Sequence, residues 1–220
     1  MLAEVISLPD RRPDTVVAWS GRVAVQAMAQ RLAVRQLFHI TRAENLVSIH
    51  RFGLQSRRRL VQLGIDALIN DFDRHDGFLD RVFLSVGFPN DRLLSAWKQR
   101  YPGSDWVVLL VSPDVMWLAD CLFCPTNSAS MAIRYTRRSR LRGANALARL
   151  FNDTHSERAE PARGSNRPRD VQAEVLVPGS VDPARIECAY FERPSVMRRH
   201  AGELPRRWLR CNPRYFGVDR

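Results

Sequence analysis

The spacing of apolar residues changes period repeatedly along the chain. Between Ser20 and Val34 the residues Val23, Ala27, Met28 and Leu32 recur at helical spacing, and the pattern predicts an amphipathic helix. Leu37-Phe38-His39-Ile40-Thr41 then reads as a strand, with His39 and Thr41 on one face because strand side chains alternate. Thr41-Arg42-Ala43-Glu44 matches a capping box, Leu46 and Ile49 form the apolar face of the helix it would open, and Gly53 is placed to end that helix. Residues 60–76 are helix-prone, and Arg81 to Ser85 is strand-like. Asn90 is positioned to cap a helix reaching Arg100. The unbroken apolar run Trp106 to Val111 predicts a buried strand, Cys121 to Cys124 a short one, and Asn127 to Leu150 mainly helix with a break at Gly143.

Residues 152–169 have no apolar period and are rich in Asp, Ser, Gly, Pro and Arg, which predicts a long surface loop. It runs into Asp170-Val-Gln-Ala-Glu-Val-Leu-Val177, a predicted strand with one carboxylate among apolar neighbours. Alternation puts Gln172, Glu174 and Leu176 on one face and Val171, Ala173, Val175 and Val177 on the other. Burying Glu174 there costs several kcal/mol, roughly, unless it is partnered. Two readings follow: a Glu on an edge strand reaching solvent, or a carboxylate kept for chemistry. Two further strands are expected around Arg185 to Phe191. Strands and short helices intermix without a βαβ rhythm or a glycine-rich phosphate loop, so the fold class expected is α+β. Residues 1–36 are read as a helical extension and 37–220 as a single domain with a basic C-terminal segment.

Composition narrows the function. The formal charge is +11, with arginines clustered at Arg57-Arg58-Arg59, Arg134 to Arg142 and Arg198 to Arg210. A basic surface concentrates polyanions, which makes nucleic acid the default partner, although arginine-rich genomic bias would also raise the charge. Four cysteines are too few for a disulfide scaffold, and no stretch approaches a membrane span, so a cytoplasmic protein is expected. Cys121 and Cys124 lack a second pair, and the five histidines show no metal-binding spacing, so no metal is expected.

What remains is His39 and Thr41 on one strand face, Asn45 in the following turn, an arginine near 74, and Glu174 behind a long loop. Phe38-His-Ile-Thr41 with Asn45 to Leu54, Trp106 to Ser112 with Leu122-Phe123, and Gln172-Ala-Glu-Val-Leu-Val177 together resemble the DarT-type DNA ADP-ribosyltransferases, toxins of toxin–antitoxin pairs. Order and spacing agree across roughly residues 37–190.

The resemblance implies an ADP-ribosyltransferase fold, a split pair of small sheets with NAD⁺ as substrate in the cleft. It implies Glu174 as the catalytic glutamate, and an essential arginine for which Arg74 is the best match, with Arg58 and Arg59 as rivals. It places His39 and Thr41 against the nicotinamide-ribose side of NAD⁺, with Asn45, Gly53 and Leu54 nearby. The loop becomes a substrate-recognition element, with Thr154, His155, Arg158, Arg163, Arg167 and Arg169 as its contacts. Single-stranded DNA is the implied acceptor, thymine and guanine both being acceptable, and a macrodomain antitoxin the implied partner. The chain departs from relatives at Val82 to Phe88, where they often carry a Tyr-Phe-rich strand. The chemistry needs a carboxylate beneath a ribose gaining positive charge, an arginine on the pyrophosphate, and a cleft for an unstacked base, with aromatics such as Phe88 or Trp97 lining it. An RNA or protein acceptor is the alternative within the fold. A non-catalytic nucleic-acid-binding module is the alternative outside it.

Overall fold

The computed structural model describes residues 14–70, 77–152, 167–202 and 204–217. Along these the helices are α1 (Asp14–Arg31), α2 (Leu46–Phe52), α3 (Arg57–Leu63), α4 (Asp91–Arg100), α5 (Val115–Leu118), α6 (Met131–Arg134), α7 (Gly143–Arg149) and α8 (Pro194–His200). The strands are β1 (Leu37–Arg42), β2 (Leu54–Gln55), β3 (Arg81–Val86), β4 (Trp106–Val111), β5 (Leu122–Cys124), β6 (Glu174–Pro178), β7 (Ser180–Val181), β8 (Ile186–Phe191) and β9 (Leu209–Cys211). Seven strands form one sheet in the order β5-β6-β3-β1-β4-β8-β9, and β2 pairs with β7 apart from it. The expected α+β class is observed, with two sheets of unequal size. Among the described residues only β8 and β9 run parallel; every other pair is antiparallel.

The sheet order explains which strands are apolar throughout. All of Trp106 to Val111 is buried because β4 lies between β1 and β8 with both faces covered. The larger core lies on one face, where Leu37, Leu84, Leu109 and Val175 meet Ala29 of α1 and Leu147 of α7. The other face carries two smaller clusters. Phe38, Leu94, Trp106 and Phe216 form one; Leu122, Ile133, Leu141 and Leu176 form the other.

Between those clusters the sheet forks. β1 and β3 pair only at Leu37 with Val86 and Phe38 with Ser85, whereas β1 stays paired with β4 from Leu37 through Arg42. Beyond Phe38 the edges of β1 and β3 diverge, and the gap has to be filled by something other than a backbone ladder.

Several local expectations change. Of the expected stripe, Leu32 is buried just past the end of α1 and Met28 packs against the core, but Val23 is 46% exposed and Ala27 is exposed, while Val25 and Ala29 are buried in their place. The capping box does not form: Thr41 is still in the strand, and neither the 3-10 turn Ala43–Asn45 nor α2 has a side-chain cap. Gly53 ends α2 as expected, at φ +76°, and a β-carbon there would collide with the Val181 carbonyl oxygen. Of the helix expected over 60–76, the described residues hold only the end of α3, capped by Ser56 and stopped at left-handed Gly64, after which 65–70 is non-helical; 71–76 lie outside the described residues. Around 185–191 one strand is present, β8, where two were expected. Asn90 caps α4 by accepting the Leu93 N–H at 3.0 Å. The region after Asn127 is only partly helical, with a 3-10 turn at Arg138–Leu141 before α7.

Candidate active site

The strand expected over 170–177 begins only at Glu174, because Asp170 closes a turn: its carbonyl accepts the Ala173 N–H at 3.0 Å and its carboxylate accepts the Gln172 N–H at 2.9 Å. Most of the expected loop, residues 153–166, lies outside the described residues, and this turn stands between it and the carboxylate. β6 is interior, between β5 and β3, so its alternation leaves no exposed face and all of Glu174 to Val177 is buried. The edge-strand reading of Glu174 is excluded by this order. Its residue exposure is 8%, and its Oε2 accepts the Ser128 N–H at 3.0 Å from the loop that follows β5. Across the sheet, Glu174 is in register with Cys124 and Ser85, and Ser85 with Phe38, which puts the carboxylate at the base of the fork.

His39 bridges the fork. Its Nδ1 donates to the Phe83 carbonyl at 2.9 Å, a side chain taking the place of the backbone pairing that β1 and β3 have given up. A carbonyl can only accept, so a proton resides on Nδ1.

Asn45 does a different job from its neighbours. Its Nδ2 donates to Thr41 Oγ1 and to the Leu68 carbonyl, each at 3.0 Å, while its Oδ1 accepts the Leu68 N–H at 2.9 Å. Both amide protons are thus committed. One buried side chain grips residue 68 by both backbone groups, and Arg42 and Tyr101 grip Asn70 two residues on: Arg42 Nε donates to Asn70 Oδ1 at 2.9 Å and the Tyr101 hydroxyl to the Asn70 carbonyl at 3.1 Å. The segment 65–70 is pinned as one wall of the cavity.

That cavity has a volume of about 340 Å³. His39, Thr41, Asn45, Gly53, Leu54 and Glu174 all line it, so six expected site residues from four separate stretches are brought together. Trp97 lines it too, stacked on Trp106 with ring centroids 5.5 Å apart. Phe88 does not; it lies against Tyr215, with the Arg167 guanidinium 4.4 Å from its ring centre. Arg169 is exposed, its N–H donating to the Leu150 carbonyl at 2.9 Å, and neither it nor Arg167 lines the cavity. Arg74, Thr154, His155, Arg158 and Arg163 lie outside the described residues. Of the rival arginines, neither Arg58 nor Arg59 lines the cavity, whereas Arg57 and Arg81 do.

Sequence reasoning misses Arg81, although its place at the head of an apolar strand is the same kind of signal as Glu174. It is 6% exposed, its Nη1 donates to the Asp120 carbonyl at 2.7 Å and the Leu176 carbonyl at 3.5 Å, and its Nε lies 3.6 Å from Asp80. It ties the approach to β5 and the centre of β6 to β3, close to the carboxylate. Burial pushes the neighbouring Cys121 thiol up to about 12, which keeps it protonated and unreactive although Arg81 pulls the other way. Among the described residues no group of three or more His, Cys, Asp and Glu side chains could hold a metal, and no helix is long and apolar enough to cross a membrane.

The family model described as DarT, ssDNA thymidine ADP-ribosyltransferase, matches residues 38–210. No match is found among curated protein sequences. Among solved structures, Thermosipho africanus DarTG in complex with ADP-ribose superposes with a TM-score of 0.60 at 20% identity, over 83% of this chain and 51% of that one. The chain thus spans about half the length of that relative. Thermus sp. 2.9 DarT in complex with NAD⁺ gives 0.55 at 16% identity, over 83% of this chain and 97% of that one. The same protein in complex with ADP-ribosylated ssDNA gives 0.51 at 15% identity, over 84% and 97%. The structural likenesses show the fold, and the family match covers most of the chain and includes both the forked strands and Glu174: the protein belongs to the DarT family of ssDNA thymidine ADP-ribosyltransferases.

Proposed function

We propose that this protein transfers ADP-ribose from NAD⁺ to thymidine in single-stranded DNA, in the cytoplasm, and that a macrodomain antitoxin opposes it. The observation that carries the reading is the buried Glu174 carboxylate, held by the Ser128 N–H at the base of a cavity it shares with His39 and Thr41. NAD⁺ fits the residues present: the cavity size is in the range of small-ligand sites, and its lining mixes apolar side chains with hydrogen-bonding and charged groups, Glu174 among them.

As the nicotinamide–ribose bond breaks, Glu174 stabilises the charge growing on the ribose, an interaction stronger in the transition state than in the ground state. The thymine ring nitrogen bonds to the ribose carbon that nicotinamide leaves, and its proton passes to the carboxylate. His39, its ring fixed by the Phe83 carbonyl, faces the nicotinamide-ribose side of NAD⁺ together with Thr41. Arg74 is the proposed pyrophosphate clamp, and Thr154 to Arg167 the element that chooses the base.

The test is mass spectrometry of short single strands that differ only in thymine content, incubated with NAD⁺ and either wild-type protein or Glu174→Gln. Expected is an ADP-ribose adduct on thymine-containing strands alone, formed at least ~10²-fold more slowly by the variant. Modification of RNA or protein pools in preference to DNA would transfer the reading to another acceptor. A wild-type protein that binds DNA and never consumes NAD⁺ would reduce it to a binding module.

A further inference from the structure

Two side chains on the segment that follows the cavity-lining residues Asn127, Ser128 and Ala129 are exposed against their chemistry. Tyr135 is 77% exposed and Met131 69%, although an aromatic ring and a thioether are normally drawn under cover. Both belong to the short segment around α6, whose inner side is anchored by buried Ile133 in the cluster with Leu141 and Leu176. The exposed side therefore does not result from a loosely held segment. The same segment is joined directly to the carboxylate, since Ser128, three residues before Met131, donates its N–H to Glu174.

Charge surrounds these two residues. Arg134, Arg137 and Arg140 are exposed and have no acidic partner among the described residues, while Arg138 lies 4.0 Å from Asp80 and Arg142 3.0 Å from Asp120. Guanidinium groups interleaved with an open aromatic face are the two parts that single-stranded nucleic acid requires: cations for phosphates and a ring for an unstacked base. Duplex DNA offers no free base face, and an acidic peptide would use the cations but leave the ring idle.

We propose that Tyr135, with Met131 beside it and Arg134 and Arg137 as phosphate contacts, is the seat for a nucleobase flanking the target base in single-stranded DNA. This deepens the functional reading above and rests on it for the identity of the ligand. The seat is a second point of attachment, outside the cavity and fixed to it through Ser128, so it sets which neighbour lies beside the target while Glu174 does the chemistry.

A short single strand with one thymine tests this by fluorescence anisotropy, with DNA-independent NAD⁺ hydrolysis measured in parallel. Tyr135→Ala should weaken binding roughly 5- to 150-fold, Tyr135→Phe should restore it, and NAD⁺ hydrolysis should be unchanged in both. Moving an abasic site along the strand should find one flanking position whose loss weakens the wild type but not Tyr135→Ala, since the base and ring act as a pair. Wild-type affinity in Tyr135→Ala, or a parallel loss of NAD⁺ hydrolysis, overturns the proposal; the first result would leave the patch to a protein partner. Should the wild type bind the strand without modifying it, the functional reading fails, and the Tyr135 comparison still decides the seat.

Discussion

Glu174 is buried in a strand that is otherwise apolar, and part of what offsets the desolvation is the backbone N–H of Ser128, delivered by the turn after β5. A charge-assisted bond of this kind contributes about 1.5–3 kcal/mol, less than an isolated buried carboxylate costs. That bond does not by itself offset the burial. Asn45 is the opposite case. Its resemblance-based role is a contact near NAD⁺, yet its three hydrogen bonds go to Thr41 and to both backbone groups of Leu68. Asn45→Ala should lower the melting temperature by the equivalent of about 1–3 kcal/mol, through the polar groups it leaves behind. It should also raise KM for NAD⁺ more than it lowers kcat, because the wall leading to Arg74 loosens while Glu174 stays in place. Hydrogen exchange at the Leu68 amide should quicken in step; an unchanged Leu68 rate would remove the pinning role.

Elements are legible where the pattern is local and lost where a partner decides. The helix stop at Gly53, the cap at Asn90 and the buried run of β4 all follow from the residues themselves. The stretch 65–70 carries helix-forming residues but is held in a non-helical form by Asn45, Arg42 and Tyr101, side chains 23–31 positions away in sequence. The fork between β1 and β3 is equally invisible in sequence, since nothing in Phe38-His39-Ile40 says that pairing with β3 ends there. One strand over from the open end of that fork, Asp105 ties α8 to the entry of β4, accepting from Arg199 Nη1 and His200 Nε2, each at 2.6 Å. Burial pushes the Asp105 carboxyl up, but the His200 bond and the Arg199 charge outweigh it, and the net position is below the ordinary 3.8. A lowered carboxylate contributes stability that is present above 3.8 and disappears as pH falls through the lowered value. Asp105→Asn should therefore melt below the wild type at neutral pH, with the gap closing only as the pH is taken below 3.8 and through the lowered value. A gap independent of pH would mean that packing, not charge, holds α8.

At the scale of the whole molecule, the charge of +11 is divided between surfaces that differ in what lies beside them. The arginines of 134–142 lie in the β5-to-β6 connection that also supplies the Ser128 bond to Glu174, whereas Arg206, Arg207 and Arg210 sit around β9, the outermost strand beyond β8. Sequence shows the clusters but not that distinction, because three-dimensional adjacency to Glu174 is set by β5 pairing with β6 at a separation of about fifty residues. If the charge were only a compositional drift, the two clusters would attract single-stranded DNA equally. If the basic surface is organised around the cavity, removing each phosphate-binding arginine near Glu174 should flatten the salt dependence, by about 0.7 in the slope of log affinity against log salt. The comparison is between Arg134→Ala with Arg137→Ala and Arg206→Ala with Arg207→Ala, which remove equal charge. The first pair should reduce the slope by about 1.4 and weaken binding at low salt, while the second should leave the slope near that of the wild type. Equal slopes in the two double variants would show that long-range attraction alone draws DNA to this protein, with no oriented path toward Glu174.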